Sequence, residues 1–323
     1  MSVRPPLDPG EPSRARLMAG FAAIYFIWGS TFLAIRIAVA EIPPFMMAGA
    51  RFLVAGLILF IWRRLARGER AEPGHWPGAT LIGALLFMGG NGAVVWSEQR
   101  VPSGLTALLL ATIPIWMVLL DTLGRGGAPL NGRVMTGLVL GLAGLAVLLD
   151  PSDLLGEGRV DLPAAGVLMA GSLCWATGSL VSRRILQPAS HALAAGMQMT
   201  VGGVILFLVS AATGEFHRLD PALVSARALL ALGYLIFFGS VVSFTAYTWL
   251  LSVASPARVS TYAFVNPVVA VLLGWTLAAE PLTPRTLLAS VVIVTAVATI
   301  ISARARREVS AALPAAKGIK LEV

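Results

Sequence analysis

Apolar stretches about 20 residues long recur along this sequence, at 17–39, 42–62, 77–97, 101–120, 133–149, 161–182, 191–212, 228–251, 258–279 and 285–302. A helix that crosses the hydrocarbon core of a bilayer needs about 20 such residues. Inside lipid every backbone N–H and C=O must find its partner within the protein, which helices provide. Ten such segments in 323 residues leave room for short loops and two tails, and for no separate soluble domain. Composition agrees, with 57% apolar and 12% charged residues and a mean hydropathy of +0.82, where a soluble domain carries about 25% charged residues. A soluble enzyme, a disordered scaffold and a disulfide-stapled module are excluded. The expected fold is an all-α polytopic membrane protein with ten transmembrane helices.

The charges that are present set an orientation. Basic residues in short loops mark the cytoplasmic side. With ten spans both tails share a side, and that side collects 17 of the 24 Lys and Arg residues against five on the other. Both termini are therefore expected in the cytoplasm, and the acidic stretch Asp150, Asp153, Glu157, Asp161 faces outward. The net charge of +8 follows from this placement and needs no nucleic-acid partner. The first run is too long for a cleaved signal core and is expected to stay as a helix. The final residues, Lys320 to Val323, look like the stub of an expression linker.

The sequence also repeats itself. AGARFLVAGLILF at 48–60 aligns with AGMQMTVGGVILF at 195–207, an offset of 147 with seven of thirteen residues identical. The same offset places Trp28 on Trp175, and nearby offsets place Gly89 on Gly239 and Pro114 on Pro267. The expected divisions are a tail at 1–16, a first five-helix repeat at 17–149, a linker at 150–160, a second repeat at 161–302 and a tail at 303–323. Because five is odd, the second copy must be inverted in the membrane relative to the first. Inverted repeats are common in secondary transporters, where they offer two nearly equivalent arrangements, one open to each side. A duplication that merely built a stable bundle is the alternative.

Trp28-Gly29-Ser30, Pro44, Arg51, Pro114, Asn266-Pro267, Gly274 and Glu280-Pro281-Leu282-Thr283, in that order within a five-plus-five repeat, resemble the drug/metabolite transporter superfamily, EamA branch. The stretch Asn91 to Pro114, with Ser97-Glu98-Gln99 and Val101-Pro102-Ser103-Gly104, resembles its metabolite and amino-acid exporters. The resemblance covers nearly all of residues 17–302. It implies a ten-helix carrier of small organic solutes in a bacterial-type cytoplasmic membrane, working outward, with a central cavity between the halves and the fifth and tenth spans at the periphery. The tenth span, Leu287 to Ile301, lacks the glycines usual in the family's last helix, which puts close packing there in question.

No span carries an Asp, Glu or Lys near its centre. Glu98, near the outer end of the third span, is the best candidate for proton coupling; the alternative is a solvated loop-edge acid or helix cap, as for Glu41 and Glu280. A uniporter or solute exchanger therefore fits better than a proton antiporter. Arg51 is a candidate for a substrate carboxylate, held bidentately, or for a structural bond to carbonyls; its counterpart Gln198 keeps hydrogen bonding without charge. Arg36 is expected to snorkel to the outer interface. Pro114 and Pro267 free carbonyls of the preceding turn and are candidate hinges. Trp28, Asn91, Trp116, Trp175, Ser243, Tyr247, Tyr262 and Asn266 are candidate substrate-binding residues in an aromatic and polar midplane, with ordinary packing as the alternative.

Enzymatic readings find no support. The three histidines have no metal-ligand spacing, and there is no phosphate loop, nucleophile elbow or nucleic-acid motif. The expected function is export of amino acids or similar small neutral or zwitterionic metabolites by alternating access. Expected partners are a small-molecule solute and the bilayer, with no cofactor, no metal and no nucleic acid; the oligomeric state stays open, with a monomer admissible. The alternatives are a multidrug, nucleoside or sugar-type exporter of the same superfamily, and a non-transporting assembly partner in the membrane.

Overall fold

The computed structural model describes residues 13–123, 132–148, 161–254 and 262–296, with Val259, Ala298, Thr299 and Ser302. The linker at 150–160, with Asp150, Asp153 and Glu157, and the tails at 1–12 and 303–323 lie outside the described residues. Among the described residues all regular structure is helical. The helices are α1 (Arg14–Val39), α2 (Pro44–Arg67), α3 (His75–Ser97), α4 (Ser103–Leu110), α5 (Ile113–Leu123), α6 (Gly132–Leu148), α7 (Leu162–Ser182), α8 (His191–Ala212), α9 (Ala226–Leu250), α10 (Tyr262–Ala278) and α11 (Pro284–Ala296). Six of them, α1, α2, α3, α7, α8 and α9, are long and apolar enough to cross a membrane. Their outward faces carry large apolar side chains such as Leu65, Leu208 and Phe237. Water would penalise such a surface, and acyl chains do not.

The expected fourth span is divided. α4 ends at Leu110, and α5 begins at Ile113 after a turn at Ala111 and Thr112. Pro114 has no N–H to offer the Leu110 carbonyl, and the Thr112 hydroxyl bonds back to the Leu109 carbonyl at 2.6 Å. Pro114 is thus the second residue of a new helix and not a mid-span kink, whereas Pro267 does lie inside α10.

Cross-helix contacts place alternate helix ends together. At one end Glu41, after α1, accepts from Ser225 N and Oγ ahead of α9 (2.6 and 2.9 Å). Glu215, after α8, accepts from Met46 N at the start of α2 (2.9 Å). Glu280, after α10, accepts from Ser103 N, Ser103 Oγ and Gly104 N at the start of α4 (2.9, 2.8 and 3.2 Å). Three helix N-termini are therefore capped by carboxylates from other helices, which satisfies free amides and places negative charge at the positive end of each dipole. At the opposite end Arg63 pairs with Glu69 beside the left-handed Gly68 that terminates α2.

The closest seam joins α2 and α8. A Cβ added to Gly49 would stand 3.0 Å from the Phe207 ring, and one added to Gly196 would stand 2.8 Å from Phe60 N. For Gly56 and Gly203 the neighbours are Thr200 N and Leu53 N, both at 2.5 Å. As residue numbers rise on α2 they fall on α8 by the same amount, so the helices run antiparallel. The offset of 147 maps Gly49 on Gly196, Leu53 on Thr200, Gly56 on Gly203 and Phe60 on Phe207. Every contact of the seam is thus matched by its own counterpart. The wider packing follows the same rule, since α1 lies against α9 and α10 while α7 lies against α3 and α5.

α11 is also closely packed, which answers the lack of glycines in the last span. The small residues are on its neighbour, where a Cβ at Gly144 of α6 would stand 2.7 Å from Ile293 Cγ1 and 3.2 Å from Ile293 N.

Gly56→Ala and Gly203→Ala are each expected to destabilise the detergent-solubilised protein by about 1–3 kcal/mol, the usual range for overpacking. Gly233→Ala, where an added methyl meets nothing within 4 Å, is expected to be neutral or stabilising by up to about 1 kcal/mol through helix propensity. Size-exclusion chromatography of heated samples measures both. The bonds from Ser225 hold the exposed Glu41 carboxyl below its ordinary pKa. A lowered folded-state value stabilises above the unfolded value and is lost as pH falls through the folded one. Glu41→Gln is therefore expected to lower thermal stability at neutral pH, with the difference vanishing only below about pH 4.

Candidate functional site

Most of the residues singled out by sequence line one central cavity. Trp28 of α1, Arg51 of α2, Asn91 of α3, Trp175 of α7, and Tyr262, Asn266 and Pro267 of α10 all contribute to its wall. Phe52, Phe87, Ser240 and Phe244 are also on the wall. Trp116, Ser243, Tyr247, Gln198 and Pro114 are not on it. Ser243 donates to the Phe238 carbonyl (2.9 Å), and Gln198 donates to Gln187 (2.8 Å). Met199, the next residue, faces the cavity in place of Gln198. Tyr247 supports the wall from behind, its ring 5.0 Å from that of Trp28.

Trp28 is the centre of the aromatic part. It meets Tyr262 edge-on at 5.2 Å and its repeat counterpart Trp175 edge-on at 6.2 Å. Its Nε1 donates to the Gly239 carbonyl at 3.1 Å. The acceptor is available because Leu235–Val242 of α9 is wound as π-helix, a form that shifts the ladder by one residue and often marks functional sites. Gly83–Gly92 of α3 is wound likewise, and so is Ala23–Ile27 of α1. The α3 and α9 stretches contain the repeat-matched Gly89 and Gly239. Asn91 donates to the Leu86 carbonyl (3.1 Å) within the α3 stretch. The Asn266 amide, turned so that its nitrogen faces them, donates to the Ile24 and Tyr25 carbonyls of the α1 stretch (3.1 and 2.9 Å). The clustering of glycines in α3, Gly83 to Gly92, is the sequence signal that goes with its irregular winding.

Arg51 is the single charged residue among the described residues that line the cavity. Its side chain is buried, Nε donates to Ser240 Oγ at 2.9 Å, and Nη1 has no acceptor among the described residues. The Phe52 ring lies 4.6 Å from the guanidinium carbon, a cation–π distance. Trp175 Nε1 likewise has no acceptor in hydrogen-bonding geometry. An anionic oxygen with an aromatic or apolar body matches these groups, since buried donors left unpaired are costly. Among the described residues no group of three or more His, Cys, Asp or Glu is placed to hold a metal ion.

Beyond the cavity, toward the Glu98 end, the chain is closed. Val95, Ser97, Glu98, Val101, Ser103 and Thr106 are all within 1% of full burial. Arg36 does not simply extend to the surface. Its Nε stands 3.3 Å from Glu280, and Nη1 donates to the Glu98 and Val101 carbonyls (3.2 and 3.0 Å). The reason is local: the cap on α4 fixes Glu280 within reach, and the chain after α3 exposes two carbonyls that no helix satisfies. Glu98 is the C-terminal cap residue of α3 by its backbone, but its side chain is not solvated, because both carboxyl oxygens are buried without a partner among the described residues.

Trp28→Phe, which removes a buried hydrogen bond, is expected to destabilise by about 1–3 kcal/mol. Trp175→Phe removes a donor with no well-aligned acceptor among the described residues and is expected to cost less than Trp28→Phe. Thermal unfolding of the two variants in detergent measures the difference.

Comparison with known proteins places this architecture. The family model of the EamA-like transporters matches residues 17–150 and 162–302. The inner membrane transporter YedA of Escherichia coli (strain K12), described as uncharacterized, is 41% identical over 285 residues, 87% of this chain and 89% of YedA. A protein of the same organism described as a "Probable amino-acid metabolite efflux pump" is 24% identical over 286 residues, 84% of this chain and 90% of that protein. A crystal structure with a TM-score of 0.63 and 20% identity covers 89% of this chain and 98% of its own, a likeness of fold.

Proposed function

The chain belongs to the EamA-like transporter family, a family of membrane transporters and not of enzymes, and from that premise we propose that it exports small zwitterionic metabolites, amino acids foremost, by alternating access across the bacterial inner membrane. The observation that carries the substrate class is Arg51, a buried guanidinium and the single charged group among the described residues lining the aromatic cavity, with Nη1 free to donate to a carboxylate. Trp28, Trp175 and Tyr262 would hold the apolar body of the solute, and an ammonium would face ring faces and carbonyls of the π-wound turns. A phosphorylated solute would want several fixed cations, and the described residues that line the cavity include one, Arg51. The efflux-pump relative supports the same direction and solute class.

Alternating access is supported by the α2–α8 seam, whose contacts map onto themselves under exchange of the two halves. Two inverted five-helix repeats related by a pseudo-two-fold axis in the membrane plane would produce that pattern, and such repeats can exchange conformations to open either side. The Arg36–Glu280–α4 contact would then latch one side. The excess of basic residues near the termini supports placing both termini in the cytoplasm and this latch in the periplasm.

Proteoliposomes loaded with a panel of labelled amino acids test the reading. Protein-dependent efflux of at least one amino acid is expected, with Arg51→Met lowering it by about 30-fold or more, as for a buried charge pair losing one partner at 2–5 kcal/mol. Equal flux in Arg51→Met removes the carboxylate assignment. Flux of a drug, nucleoside or sugar with none of any amino acid points to the other exporters of the superfamily, and no flux at all to a non-transporting membrane component.

A further inference from the structure

Glu98 is used by nothing described so far. It follows α3 directly and is 1% exposed, with Oε1 and Oε2 both unpaired among the described residues. Most of the groups around it hold other partners, and the unpaired Nη1 of Arg51 makes no hydrogen bond to it. From α1, Arg36 reaches the Glu98 backbone carbonyl but gives Nε to the Glu280 carboxylate. From beyond α10, Glu280 holds Arg36 and the α4 N-terminus. From α2, Arg51 gives Nε to Ser240. From α7, Asp161 faces Arg100 at 3.5 Å. The neighbouring Ser97 donates to the Ala164 carbonyl at 3.0 Å, Ser103 Oγ donates to Glu280, and the buried Thr106 hydroxyl makes no hydrogen bond to the carboxylate.

A carboxylate buried without a hydrogen bond or a dedicated cation costs several kcal/mol. Here a second carboxylate, Glu280, already takes the nearest guanidinium, and two carboxyls beside one cation favour a proton on the one left over. The closed arrangement of this end thus requires a neutral Glu98. When the end opens and Arg36 separates from Glu280, water reaches the carboxyl and an ionised form is stabilised. We propose that Glu98 is a proton-binding site, and that closure of the Glu98 end takes up one proton from the water on that side, converting carboxylate and proton into carboxylic acid. Reopening releases it. Val94, one turn before Glu98, lines the cavity, so the proton site adjoins the solute path. The proposal rests on the reading of the chain as a carrier whose ends open in turn, but its test needs no solute.

The full-length chain, with Cys174→Ser and Val101→Cys, is reconstituted and labelled with a membrane-impermeant thiol reagent between about pH 8 and pH 5, with and without Glu98→Gln. Val101 is fully buried in the closed arrangement. The labelling rate relative to the Glu98→Gln protein is expected to fall with acidity, by at most about tenfold per pH unit for one proton. The Glu98→Gln protein itself should label slowly at every pH beyond the reagent's own dependence. A constant ratio overturns the proposal, whether both label fast or both label slowly. As a second measurement on the chain with its native Val101, the infrared carboxylic-acid carbonyl band at about pH 6 is expected to lose one component in Glu98→Gln; identical spectra overturn the proposal. A chain that passes both tests but moves no solute would sink the transport reading and leave the proton site standing.

Discussion

The α2–α8 seam is the constraint on which the rest depends. Lipid offers no hydrophobic drive between helices, so close backbone approach must supply the attraction. Four glycines let the two backbones touch, and their spacing fixes the register of one helix on the other. Because the seam is made of repeat-matched residues, it fixes the register of the two halves as well. Once that is set, α1 falls against α9 and α10, α7 against α3 and α5, and the space left between the two groups is the cavity.

The cavity inherits its chemistry from the same arrangement. Trp28 and Trp175 occupy equivalent places in the two halves and meet edge to edge across the middle. Their environments differ, however, since Trp28 donates to the Gly239 carbonyl and Trp175 has no well-aligned acceptor among the described residues. Arg51 and Gln198 diverge further, one facing the cavity and the other bonded to Gln187. A seam of repeat-matched contacts therefore stands beside a cavity whose lining is asymmetric. The π-wound turns on α1, α3 and α9 add carbonyls and irregular backbone at the same level, tolerated there because it lines a cavity and not lipid.

Much of this was legible in the sequence. Helical class and the apolar segments followed from hydropathy, and the offset of 147 brought the right glycines into correspondence before any contact was known. Seven of the residues selected by type, from Trp28 to Pro267, do share one wall. Those that do not share it, Trp116, Ser243, Tyr247, Gln198 and Pro114, failed for reasons that pattern alone does not encode. A one-residue rotation on a helix exchanges Gln198 for Met199, and a break at Ala111 moves Pro114 from mid-span to a helix start. The carboxylates were hardest to read. Glu41, Glu215, Glu280 and Glu98 all lie near span ends, yet three cap helices distant in sequence and the fourth is sealed without a partner. Such a difference, read among the described residues, depends on which helix end arrives beside each carboxylate.

The central claim is that the halves exchange arrangements about the seam, so that one end opens as the other closes. Spin labels at Gln99 and Leu223 report separation of the halves at the Glu98 end, and labels at Leu65 and Leu186 report it at the opposite end. Double electron–electron resonance distances on the two pairs, measured in lipid with and without a transported amino acid, test the claim directly. Opposed shifts are expected, one distance distribution lengthening as the other shortens. Flux of the amino acid with both distributions unchanged, or with both lengthening together, would contradict it.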